Sequence, residues 1–268
     1  MIVLTGCLVI NNMKKCINFI AYNRPEYFSQ VLNSWKNTDK INEYDLYFFI
    51  DYSDKTQEIK NLIREFIKKK INASKQKIKI ITNNPKKGVN NAMYNALSYS
   101  FDKLKYDFVV MAEDDIVVTK DSLRLLECML HISEKEKNIA IFNLYAHQSF
   151  ENVIHNTTKL YKICWFNAWG WATTSQIWTS HIKKFWDFNY NDGWDIHITK
   201  NIMKKQNLSM IVPKISRSKN IGVNGTHATV DTYNNKNLGK TQLNTNFEYR
   251  CSDLEIDTLN TFKIIGKN

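Results

Sequence analysis

No stretch of this chain reaches the roughly 20 apolar residues that a membrane-crossing helix needs. The apolar run from Ile2 to Ile10 is short, has no basic region ahead of it, and shows no cleavage site of the secretory kind. No Cys-x-x-Cys occurs among Cys7, Cys16, Cys128, Cys164 and Cys251, which are odd in number and scattered. That argues against a disulfide framework or a zinc site and favours a reducing compartment. The histidines show no metal-ligand spacing. No internal repeat, helix-turn-helix or RNA-binding signature occurs, so nucleic acid is not an expected partner. Also missing is a glycine-rich basic loop after the first strand, which a nucleotidyltransferase of α/β fold would carry; Asn23-Arg24-Pro25 stands there instead.

What is present suits a folded chain with a real core. It has 268 residues, 43% of them hydrophobic and 13% aromatic, enough for one large domain or two small ones sharing a cleft. Several of the seven tryptophans fall between Trp165 and Trp194. Clustered aromatics suit a face that stacks on sugars, although most tryptophans are core residues. The net charge of +11 has two readings. One is compositional, since Lys, Asn and Ile are used heavily throughout. The other is attraction to an anionic partner: a nucleotide-sugar, a lipid phosphate or a membrane surface. The basic clusters Lys68-Lys69-Lys70, Lys86-Lys87, Lys183-Lys184 and Lys204-Lys205 are spread out and suit solvated helix faces. The expectation is a cytoplasmic protein able to rest peripherally on a membrane. Residues 1–12, ahead of Met13, are expected to be either a dispensable extension or a misassigned start.

Strands and helices alternate over the first 120 residues. Cys16 to Tyr22, Leu46 to Ile50, Ile78 to Thr82 and the run from Phe108 predict four strands. Between them, Glu26 to Trp35 predicts a helix with Pro25 at its first position. Ile59, Leu62, Ile63, Phe66 and Ile67 form one helical stripe. Val89 to Leu104 predicts a third helix. This alternation builds a mixed, mostly parallel sheet flanked by helices, an α/β fold. The second half is less regular. Ile139 to Tyr145 predicts a strand, Ile198 to Gln206 a helix, Ile211-Val212-Pro213 a short edge-like strand, and Ser216 to Thr232 a polar loop. The polar tail after Thr232 is expected to be partly mobile.

The fourth strand runs straight into three carboxylates, Glu113-Asp114-Asp115. Open α/β sheets bind ligands at the carboxyl ends of their strands. An oxygen-rich cluster there suits a hard divalent cation and, on it, a phosphate-bearing substrate.

Four motifs in order carry a resemblance. They are Val110 to Val118 around the acidic triplet, Leu160-Tyr161 through Trp165 to Trp171, Gly193-Trp194-Asp195, and Pro213 to Arg217 with Gly222-Val223-Asn224. Together they resemble the GT-A (Rossmann-like) inverting glycosyltransferases, and among these the protein N-acetylglucosaminyltransferase I family. The resemblance implies transfer from a UDP-sugar, UDP-GlcNAc first, to a glycan hydroxyl, with residues 1–120 holding the nucleotide-sugar and 121–268 the acceptor. Without the anchor and stem of the Golgi enzymes, the expected setting is bacterial or viral surface polysaccharide synthesis. A lipid-linked oligosaccharide is then the expected acceptor.

By that resemblance Asp115 binds Mn²⁺ (or Mg²⁺), Asp114 faces the ribose and Glu113 the donor sugar. Inverting transfer needs a carboxylate to take the acceptor's proton. Asp195 is the candidate, although its place before a helix also suits a cap. Asp192 is its main rival and Asp187 a weaker one. Asp51, ending the second strand, is placed to accept the uracil N3–H, with Asp54 as the alternative. Arg24 is expected at the nucleotide or diphosphate, as is His227 from a loop, Ile221 to His227, that closes over the donor. Lys87 and Gly88 allow close backbone approach to the nucleotide. Trp169, Gly170, Trp171 and Trp194 are the candidate sugar contacts, core packing being the alternative for Trp171. A competing reading is a non-catalytic basic protein that binds polyanions.

Overall fold

The computed structural model describes residues 12–70, 76–146, 158–223, 243 and 248–258. The first half contains β1 (Lys15–Ala21), α1 (Pro25–Lys36), β2 (Asp45–Asp51), α2 (Thr56–Lys70), β3 (Ile78–Asn83), α3 (Val89–Ser98) and β4 (Phe108–Glu113). These are the strands and helices the hydrophobic pattern predicts. Pro25 opens α1, where its missing N–H costs nothing. The expected third helix does not stay α-helical to Leu104. It widens into a π-helical turn over Tyr99–Lys103, which carries Ser100 to the buried Asn18 of β1 (Ser100 Oγ to Asn18 Oδ1, 2.9 Å).

The second half contains β5 (Ile116–Val118), α4 (Ser122–Ser133), β6 (Ile139–Asn143), β7 (Lys159–Ile163), β8 (Trp171–Thr174) and α5 (Ser175–Ile177). Then come α6 (Trp194–His197), β9 (Ser209–Pro213), β10 (Ser218–Asn220) and β11 (Glu255–Thr258). α5 and α6 are single turns that continue as π-helical turns over Trp178–Ile182 and Ile198–Met203.

Nine strands form one sheet in the order β11-β7-β9-β6-β8-β4-β1-β2-β3, and β10 pairs with β5 separately. β1 is parallel to β2 and β4, and β2 to β3. β8 is antiparallel to β4 and β6, while β9 is parallel to β6. The fold is therefore the expected mixed, mostly parallel sheet flanked by helices. All of β1 is buried, as a strand covered on both faces must be. One face packs on α1, α2 and α4 through Phe28, Trp35, Ile63 and Leu126. The other packs on α3 and the segments around α5 and α6 through Met93, Leu97, Trp178 and Ile202.

Three expectations need correcting. β9 is an interior strand, not an edge: β7 lies on its far side, with Leu160 opposite Pro213. Pro213 ends the strand, and Lys214 N makes the next bond to Lys159 O (2.9 Å). The polar segment from Ser216 is not all loop, since β10 pairs with β5 across Lys219 and Val117. Cysteine is also used for a disulfide. Cys128 of α4 and Cys251 are bonded, with Cα atoms 5.0 Å apart, across a separation of 123 residues. The fold brings the two together from far apart, which scattered spacing could not show.

A buried ionic cluster ties the start of β1 to α4. Lys15 Nζ lies 2.6 Å from Glu127 Oε1 and Lys40 Nζ lies 2.8 Å from Glu127 Oε2. Tyr44 donates its hydroxyl to Glu127 Oε1 at 2.9 Å.

Candidate active site

Parallel pairing sends the ends of β1, β2, β3 and β4 to one side of the sheet. Arg24, Asp51, Lys87 with Gly88, and Glu113 to Asp115 follow those ends in turn. β8 runs the other way beside β4, with Trp171 opposite Met111. Its beginning therefore lies where β4 finishes, which brings Trp169 and Gly170 to the same side. Strand direction alone gathers most of the expected site residues.

The acidic triplet is bound up with Arg24. Arg24 Nη1 donates to Asp115 Oδ2 at 2.9 Å, and Nη2 donates to Asp114 Oδ1. Tyr22 N donates to Asp114 Oδ2 at 3.1 Å. Asp115 Oδ1 and Glu113 Oε1 are buried and have no hydrogen-bond partner among the described residues. Burial raises the Glu113 carboxyl well above its ordinary range; the charges of Asp115 and Asp114 raise it further, Asp195 adds to this, and Arg24 opposes it. Burial also raises Asp114, against the pull of Arg24. Burial works against the Arg24 cation, but Asp114 and Asp115 outweigh it and hold the cation above its ordinary range.

A second layer supports Asp115 from below. Ile221 N donates to Asp115 O (2.8 Å), and Gly222 N is turned back onto Asn220 Oδ1 at 2.7 Å. A Cβ on Gly222 would come within 3.0 Å of Asp115 Cβ, so a side chain there would press on the carboxylate. This ledge follows β10, and β10 follows Arg217. The Arg217 side chain is fully buried and bonds to Asp121 Oδ2 through Nε at 3.2 Å. Tyr249 donates its hydroxyl to the same oxygen at 3.0 Å, and Thr119 Oγ1 donates to Asp121 Oδ1 at 2.6 Å. Asp121 and Tyr249 carry no local motif that would single them out before the fold is known.

Asp51 is already engaged. Its two oxygens accept Lys87 N and Gly88 N, each at 2.8 Å. It shapes the turn after β3, and Gly88, at φ 78°, supplies the backbone conformation that the turn needs. Asp54 is exposed just before α2. Lys86 reaches Tyr22 OH at 2.8 Å.

The structure separates the candidate bases. Asp195 lies inside the first turn of α6, and Gly193, at φ 107°, is the capping residue, so Asp195 is not itself the cap. Its charge reaches Glu113. Among the described residues nothing hydrogen-bonds to the Asp195 carboxylate. Asp192 is exposed and pairs with Lys200 at 3.1 Å. Asp187 is exposed and accepts Asn189 N at 2.9 Å.

The aromatic segment divides as well. Trp169 is half-buried, edge-on to Tyr145 with ring centroids 4.5 Å apart. Gly170, at φ 76°, sits close to Leu144. Trp171 is 0% exposed and packs against Phe166 and Trp194. It offers no surface to a sugar, which corrects its assignment as a contact. Trp194 is 8% exposed and stacks on Trp186, so it too is mainly core. His227 lies outside the described residues, as does most of the expected closing loop.

Among the described residues no three His, Cys, Asp or Glu side chains cluster as a metal cage. The free, buried oxygen of Asp115 nonetheless fits a cation that takes its other ligands from a bound diphosphate, in keeping with the liking of Mg²⁺ for few protein carboxylates plus phosphate oxygens.

The chain has known counterparts in family and in fold. The family model described as the GNT-I family matches residues 12–263. Among curated proteins nothing matches the chain. A structure of S. aureus TarS, residues 1–349, is similar with a TM-score of 0.51 and 16% identity, covering 75% of this chain and 58% of that one. The mannosyltransferase PcManGT from Pyrobaculum calidifontis, solved with GDP-Man and Mn²⁺, is similar with a TM-score of 0.50 and 11% identity, covering 77% of this chain and 59% of that one. The chain thus spans less than two thirds of either protein. At these identities the likeness is one of fold, the GT-A fold.

Proposed function

The chain belongs to the GNT-I family and is a glycosyltransferase of GT-A fold; from this we propose that it is an inverting, metal-dependent enzyme that moves a sugar from a UDP-sugar to a glycan hydroxyl. The observation that carries the reading is the free, buried Asp115 oxygen at the end of β4, with Arg24 beside it and the charge of Asp195 within reach of Glu113. Residues of the first half, around Arg24, Asp51, Lys87 and Gly88, hold the nucleotide, and the second half holds the acceptor.

Asp115 would hold Mn²⁺ (or Mg²⁺). A bound metal ion of this kind supplies Lewis-acid neutralisation of the leaving diphosphate. The chain's own residues do the rest. Asp114 faces the ribose, Glu113 the donor sugar, and the backbone of Lys87 and Gly88 lies along the nucleotide. Asp195 takes the proton of the acceptor hydroxyl. The acceptor oxygen then bonds to the anomeric carbon from the face opposite the nucleotide. The anomeric carbon–phosphate oxygen bond breaks, and UDP leaves with the electron pair. Trp169, half-buried at this end of the sheet, is the aromatic placed to touch a sugar.

UDP-GlcNAc is the first donor to test, on the strength of family membership. The acceptor fits a lipid-linked oligosaccharide of surface polysaccharide synthesis, bacterial or viral, reached by an enzyme resting on the membrane. The charge of +11 favours such an anionic surface. The Cys128–Cys251 bond speaks against the reducing compartment expected from the scattered cysteines. Among the described residues no helix is long and apolar enough to cross a membrane.

The test is thermal stability against a panel of nucleotide-sugars, with Mn²⁺ or with EDTA, for wild type and Asp115→Ala. A ligand at 100 times its Kd adds about 2.7 kcal/mol. We expect one UDP-sugar to stabilise the wild type with Mn²⁺, and not Asp115→Ala. No shift with any nucleotide-sugar, beside tight salt-sensitive binding to a polyanion, would overturn the reading.

A further inference from the structure

We infer that Arg24 is an internal counter-ion for Asp115, one that a nucleotide diphosphate must draw away before the metal binds tightly. The inference rests on the proposed reading of Asp115 and the diphosphate. Its basis is a conflict of charge. Arg24 spans both carboxylates, one guanidinium nitrogen on Asp114 and the other 2.9 Å from Asp115 Oδ2. Asp115 Oδ1 is the buried oxygen left without a partner. A guanidinium on one oxygen of a carboxylate repels a divalent cation on the other and so weakens its binding, the more so in a partly buried site.

The guanidinium lies close enough to solvent to exchange one anionic partner for another. Its side chain is 24% exposed, and it stands on the short link between β1 and α1 rather than inside either element. Asp114 would not be stranded, because Tyr22 N still holds its Oδ2. A diphosphate offers the planar fork a bidentate partner of higher charge. Once Arg24 has turned to it, both Asp115 oxygens face the cation. Metal alone therefore binds weakly, and metal and nucleotide each raise the other's affinity by the same factor, as linkage requires.

The test is direct binding of Mn²⁺, followed by the loss of the free-ion electron paramagnetic resonance signal, with and without UDP. For wild type we expect weak binding of Mn²⁺ alone and binding tighter by about tenfold or more with UDP, a coupling of the usual allosteric size. Arg24→Gln should bind Mn²⁺ alone about tenfold more tightly than wild type and gain less from UDP than wild type does, the remaining gain coming from the diphosphate oxygens that complete the metal's shell. Arg24→Lys, which keeps the charge but loses the fork, should fall between; it also serves if Arg24→Gln does not fold. Lys86→Gln removes one positive charge from the same end of the sheet without touching Asp115, and should leave the Mn²⁺ affinity within about twofold, since exposed charges are well screened.

If the Arg24 variants bind Mn²⁺ alone no better than wild type, or if Lys86→Gln tightens it as much as they do, the counter-ion role is wrong. That result leaves the proposed function standing, provided that wild type binds Mn²⁺ and UDP together. If no variant binds Mn²⁺ under any condition, the proposed function fails and this inference with it.

Discussion

Gly222 lies directly against Asp115. A Cβ added at Gly222 would meet Asp115 Cβ at 3.0 Å and Cγ at 3.1 Å. The clash involves the root of the side chain as well as its tip, so Asp115 could not simply rotate aside. Gly222→Ala is expected to cost about 1–3 kcal/mol of stability, the usual range for overpacking. Its larger effect falls on activity, where a displacement of about 1 Å can cost about 100-fold. Donor binding measured beside urea denaturation checks this; a variant with wild-type donor affinity would show that the ledge does not set the carboxylate.

Asp195 and Asp192 make opposite predictions. Asp195→Asn should lower kcat by about 100- to 10,000-fold, the range for a lost general base, with donor affinity nearly unchanged. Asp192→Asn should change kcat little, because Asp192 is exposed and paired with Lys200. Steady-state kinetics and donor binding on both variants decide between them, and the reverse pattern would make Asp192 the base.

Glu127 gives a prediction about pH. Burial alone would raise its carboxyl, but hydrogen bonds from Lys15 and Lys40 prevail and hold it below the usual range. A depressed folded-state pKa contributes stability that is present above the unfolded value, about 4.3 for Glu, and lost as pH falls through the folded value. Glu127→Gln leaves Lys15 with only the half-exposed Glu43, 3.2 Å away, and should cost about 1.5–3 kcal/mol near neutral pH, the range for a lost hydrogen bond to a charged group. The gap to wild type should close as pH falls below about 4. Denaturant titrations across that range test this, and a constant gap would rule out the charge as the cause.

The Arg217–Asp121–Tyr249 group predicts a graded series. Tyr249→Phe removes one hydrogen bond to a charged group and should cost about 1.5–3 kcal/mol. Arg217→Met leaves Asp121 buried without its cation and should cost about 3–5 kcal/mol. Equal losses in the two variants would mean that the ion pair adds nothing beyond the hydroxyl.

Much of the fold was legible because parallel strands buried on both faces read as short apolar runs. β1 to β4 and the helices between them follow from that pattern, and strand direction then delivers Arg24, Asp51 and the triplet to one side. The rest depends on distant pairings. β5 and β10 have three residues each, too few to show a period. Arg24 meets Asp114 and Asp115 across 90 and 91 positions, which no local pattern reveals. Trp171 and Trp194 have the chemistry of sugar platforms, and only packing shows that they serve the core.

The Cys128–Cys251 bond and the Tyr249 hydroxyl also impose an order in time. Synthesis proceeds from the N-terminus, and early segments can fold while later ones are still being made. The acidic triplet follows β4, whereas Tyr249, Cys251 and β11 come well over a hundred residues later. A nascent chain therefore carries its carboxylates before it has the means to brace the ledge beneath them. The bracing of the acidic triplet is thus completed late in translation, after nearly all of the sheet has been made.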